Sequence, residues 1–68
     1  MDIKPLIKKI EETALDLQKV DAVEEKKEVA KKFSVYCENL RGILTKDEAD
    51  HQIGLAITRA NKKFKKAS

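Results

Sequence analysis

Glu48 and His51 stand three residues apart, a spacing that puts both on one face of a helix. A Glu-x-x-His pair of this kind supplies ligands to carboxylate-bridged two-metal bundles. Such a centre needs a second pair and two further inward glutamates, and His51 is the sole histidine of the chain. His51 also falls away from the apolar face of its segment, beside Asp47 and Asp50. The pattern predicts a solvated cluster at a helix start, with no metal and no cofactor.

Cys37 and His51 suggest a nucleophile with its base. Folded back at residue 44, the two lie at similar heights. Cys37, however, sits in an apolar stripe and His51 on an outer face. A thiol in apolar surroundings resists ionisation and is inert, so Cys37 reads as packing. The chain has no glycine-rich phosphate loop, no Ser/His/Asp set and no paired inward carboxylates. Three helices also leave little room for a pocket of about 300 Å³ or more. The sequence therefore predicts a protein that is not an enzyme.

Charge is the next resource. The net value is +3, but it is unevenly spread. Residues 1–56 hold ten Lys/Arg against twelve Asp/Glu, and residues 57–68 hold five against none. The five are Arg59, Lys62, Lys63, Lys65 and Lys66. Cations at a helix C-terminus complement the macrodipole, which accounts for one or two of them. The remainder could neutralise phosphates, or steer the domain to an acidic protein surface. Phe64 falls on the apolar stripe and so is not a free stacking platform for bases. Base-reading side chains are sparse, only Gln52, Arg59 and Asn61. Any nucleic-acid contact would thus be non-specific. A helix-turn-helix is disfavoured, because its helices are short and the last two segments here are each about 20 residues long.

A third resource is apolar. Leu15, Val35 and Leu55 each lie more than about 100° from the centre of their own helical stripe, and Ile43 sits near a connection. Single exposed apolar residues are ordinary. In a domain this small they are also candidates for a partner surface. Gly54, interior to a helix, would cost about 1 kcal/mol relative to alanine, which close approach of another backbone would justify.

Three elements must position these groups. Ile3, Leu6, Ile7, Ile10, Ala14 and Leu17 recur at spacings of three and four, predicting helix 1 over residues 3–19 with Asp2 as its cap and Pro5 in its first turn. Val29, Ala30, Phe33, Tyr36, Cys37, Leu40 and Leu44 form a second series, out of phase with the first. One straight helix would place Asp21, Glu24, Glu28, Lys31 and Glu38 on the seam, so a break is expected at Val20–Ala22. Asp21 and Glu24 have capping-box spacing there. Helix 2 is expected over residues 22–41, ended by Gly42 in the left-handed conformation. Thr45 and Glu48 form a second capping box, with Leu44 placed to staple against Ala49. Helix 3 follows over residues 46–65, with Ala49, Ile53, Ala56, Ile57, Ala60 and Phe64 on one stripe.

The expected fold is all-α: a small antiparallel three-helix bundle forming a single domain over residues 1–68. The alternative is a long helix 2–helix 3 hairpin that dimerises into a four-helix arrangement, with helix 1 packed outside. A chain of 68 residues buries only about 60% of its unfolded surface and is marginal alone. One cysteine excludes an internal disulfide, so packing or self-association must supply stability. The single thiol, the lack of a signal-peptide pattern and the lack of a membrane-length apolar run predict a soluble cytoplasmic protein without membrane contact. The function that fits is a non-catalytic protein-binding module: an adaptor, inhibitor or regulatory subunit, able to homodimerise. It would use Leu15, Val35, Ile43 and Leu55 for contact and Arg59, Lys62, Lys63, Lys65 and Lys66 for steering. The alternative is nucleic-acid binding through the basic C-terminal half of helix 3.

Overall fold

A computed structural model describes residues 3–67. Three helices follow one another: α1 at Lys4–Lys19, α2 at Val23–Ile43 and α3 at Lys46–Ala67. They pack on one another as a small all-α three-helix bundle. The Asp2 cap expected for helix 1 lies outside the described residues. Pro5 occupies the first turn of α1, where its missing N–H costs nothing.

The seam between α1 and α2 runs through Val20, whose backbone is extended at φ −80° and ψ 130°. Ala22, also extended, is the residue from which α2 starts, and no side chain caps it. The Asp21–Glu24 capping box therefore does not form. Glu24 and Glu25 instead place negative charge in the first turn, where the helix dipole favours it.

Gly42 does not end α2. Neither glycine has positive φ, and the helix continues to Ile43 before Leu44 turns extended at φ −106° and ψ 169°. The Leu44 N–H still donates to the Leu40 carbonyl at 2.9 Å. Thr45 then starts α3, as its sequence predicts. Its Oγ1 accepts the Glu48 N–H at 3.3 Å, and its carbonyl accepts the Ala49 N–H at 2.8 Å.

The core gathers Ile10 of α1, Cys37 and Leu40 of α2, and Ala49, Ile53 and Ala56 of α3. Ile3, Leu6, Ile7, Phe33, Tyr36 and Leu44 close around it. Helix α1 makes most of the contacts with the other two helices, and α2 and α3 meet one another less. The arrangement with helix 1 outside a dominant helix 2–helix 3 hairpin is therefore not the one formed.

Polar contacts show how α1 meets α3. Glu11 reaches Arg59 and Lys63, while Gln18 donates to the Asn61 Oδ1 at 2.6 Å. At 100° per residue, Asn61 points about 160° away from both cations. Glu11 and Gln18 thus grip opposite flanks of α3, and α1 lies across it between them. The face beneath is built from Ala56 and Ala60, both fully buried, and side chains this small let the helices approach closely.

Two core expectations fail for a related reason. Ile57 lies on the rim of the covered alanine face and is exposed. Ala30 is exposed because the start of α2 is poorly covered: every residue from 21 to 28 is exposed, and Val29 is only half-buried. The apolar seam of α2 starts earlier than the surface that receives it.

Candidate functional site

Of the candidate contact residues, Val35 is 53% exposed, Ile43 44% and Leu55 40%. Leu15 is corrected from an outward position to a half-buried one. It falls within about 60° of Glu11 and Gln18 on the flank of α1 that meets α3. Sequence reasoning missed Val23, at 67% the most exposed large apolar residue among those described, because it lies just past the break and belongs to neither series. Among the described residues, three of the five exposed large apolar residues, Val23, Val35 and Ile43, are on α2, so that helix carries the main uncovered apolar surface.

The basic end of α3 divides. Lys63 pairs with Glu11 at 3.1 Å, and Arg59 lies 3.8 Å from the same carboxylate. The Glu11 side chain is only 11% exposed, so these two cations satisfy a carboxylate that the fold takes largely out of water. This partly structural role was not visible in sequence, where Glu11 was one charge among many. Lys62, Lys65 and Lys66 are exposed, and Asn61 is held by Gln18. Phe64 is half-buried.

Where α2 meets α3, Arg41 donates to the Asp50 Oδ1 at 3.1 Å and lies 3.9 Å from Glu38. Cys37 is buried beside this group, and its thiol is pushed above its ordinary pKa. Burial is the main cause; Asp50 and Glu38 add to it and Arg41 opposes it. His51 is exposed on α3. Among the described residues no three His, Cys, Asp or Glu side chains converge as metal ligands.

Among the described residues the surface carries several depressions. One of 180 Å³ lies against Phe33, Cys37, Arg41 and Ile53 at the α2–α3 contact. Two larger troughs, of 440 Å³ and 410 Å³, run along α2 past Lys27, Ala30 and Ser34 and past Glu28, Lys31 and Val35. Both of these larger ones lie on α2, whose residues 23–28 are all exposed. No helix is long and apolar enough to cross a membrane. Comparison with family models, with curated proteins and with solved structures finds no match.

Proposed function

We propose that this chain is a small non-catalytic protein-binding module that acts through the uncovered face of α2. One observation carries the reading: α2 has 21 residues, about 31 Å of helix, yet its first six residues, 23–28, are all exposed and cover begins only with the half-buried Val29 and Phe33. An isolated helix of that length gains little stability in water, because helical stability comes mainly from packing one face. Val23 and Val35 are then apolar surface awaiting a cover, with shallow, open depressions beside Ala30 and Val35. An adaptor, inhibitor or regulatory subunit of a cytoplasmic assembly fits such a surface, with self-association as one use of it.

Contact between the C-terminal half of α3 and phosphates is the second reading. The ion pairs of Arg59 and Lys63 with Glu11 weaken it, since each engaged cation contributes less to counterion release.

A photo-crosslinking amino acid placed at Val35, and separately at Lys9 as an exposed control on α1, tests the reading in cells that express the protein. Discrete protein adducts at 35 and none at 9 support it. An absence of adducts at both positions, or equal labelling at both, removes it.

A further inference from the structure

We propose that the partner includes a second copy of this chain, docked so that the outer strip of α2 on one copy lies antiparallel against the outer strip of α3 on the other. The proposal rests on the protein-binding reading above and names one occupant for its surface.

The two strips match in register. On α2, Glu28 and Glu24 precede Val35 by seven and eleven residues. On α3, Lys62 and Lys66 follow Leu55 by seven and eleven residues. At 1.5 Å per residue both strips set their charges about 10.5 and 16.5 Å from the apolar residue. Glu24, Glu28 and Val35 fall within about 40° of one another, as do Leu55, Lys62 and Lys66. Val35 points about 160° from the buried Cys37, and Leu55 about 160° from the buried Ile53, so both strips face outward.

Laid antiparallel, Val35 meets Leu55, Glu28 meets Lys62 and Glu24 meets Lys66. All six side chains are exposed. Among the described residues, none of the four charges has an ion-pair partner within the chain. In the same register Asn39 comes opposite His51 and Gly42 opposite Glu48, which brings no like charges together. Nothing lies within 4 Å of a side chain's first carbon at Gly42, so another helix can approach there.

Like-charge approaches remain: in this register Lys31 comes level with Arg59 and near Lys62, and Lys32 lies beside Arg59. The Arg59 guanidinium is already turned to Glu11 of its own chain. Because the strips belong to different helices, the contact is heterologous, and each copy in a pair still offers its other strip.

Two exposed ion pairs and one apolar contact per strip make a weak, salt-sensitive complex. We expect self-association with a dissociation constant of about 0.1 mM at low salt. It should weaken about tenfold as added salt shortens the screening length from about 30 Å to about 3 Å.

Sedimentation equilibrium of the purified full chain, up to about 1 mM, reads this directly. The wild type should self-associate at low salt. The K62E/K66E and E24K/E28K variants should each be at least tenfold weaker, with circular dichroism confirming that they fold. An equimolar mixture of the two, or the four-fold variant E24K/E28K/K62E/K66E, should restore association. Lys32→Glu should tighten it.

A monomeric wild type at low salt overturns the proposal. So does association that charge reversal leaves unchanged, or that the mixture fails to restore. A monomer whose Lys62 and Lys66 are instead required to shift duplex DNA in a gel assigns the α3 strip to phosphate and equally overturns it. None of these results depends on the photo-crosslinking at Val35, so protein binding by α2 and self-association fail separately.

Discussion

Glu11→Gln is the substitution whose effect follows most directly from the geometry. The change keeps the size of the side chain and one acceptor oxygen, and removes the charge. Glu11 is 11% exposed, while Lys63 and Arg59 are 58% and 45% exposed at 3.1 and 3.8 Å. Two unit charges 4 Å apart attract by about 1 kcal/mol in water and about 4 kcal/mol at an effective dielectric constant of 20. The cations stand half in water, and burial of the carboxylate offsets part of the attraction. A net loss of about 1.5 kcal/mol follows, including a few tenths for Arg59 and Lys63, which become an uncompensated like-charge pair four residues apart.

For a domain of this size each kcal/mol shifts the melting temperature by about 4–8 °C, so Glu11→Gln should melt about 6–12 °C lower at low salt. Thermal melts followed by circular dichroism measure it, and the difference should shrink as salt is added. A double-mutant cycle with Lys63→Ala should give a coupling of about 1 kcal/mol. A change under about 2 °C, with zero coupling, would refute the claim that this carboxylate ties α1 to α3.

Other expectations are quickly checked. Thr45→Ala should cost about 0.5–1 kcal/mol in urea unfolding, because the 3.3 Å bond from the Glu48 N–H is the only side-chain cap seen at that start. Gly54→Ala should stabilise by about 0.5–1 kcal/mol, since the site is helical and has open space for a methyl group; a loss of stability would show that another backbone needs the gap. Cys37 should react with iodoacetamide far more slowly in the folded protein than in denaturant. Its raised thiol pKa gives a signed pH effect. The burial that raises it contributes stability below the unfolded thiol value, and that contribution is lost as pH rises through the folded value. Alkaline melts should thus fall more steeply for the wild type than for Cys37→Ala.

Much of the fold was legible because helix formation here is a local matter. Two out-of-phase apolar series placed a break near Val20, and Thr45 with Glu48 marked the start of α3, where the structure shows that hydroxyl accepting the backbone N–H. Where local signals competed with packing, packing decided. Gly42 could end a helix but need not, and α2 runs on to Ile43 because Leu40 and Leu44 still have a core to join.

The candidate surface was only partly legible. Val35, Ile43 and Leu55 emerged from periodicity, because an outward position on a helix is fixed by its own neighbours. Val23, Ala30, Ile57 and Leu15 were hidden or misplaced, since their exposure depends on where another helix happens to lie.

The sequence by itself determined three amphipathic helices, the cap that starts the last, and a basic end, because each depends on residues within a few positions of one another. Only the tertiary structure decided that α1 crosses α3 over buried alanines, that Glu11 engages two of the five cations, and that the start of α2, residues 23–28, is left uncovered. Those outcomes depend on groups nearly fifty residues apart meeting in space, and no local spacing encodes such a meeting.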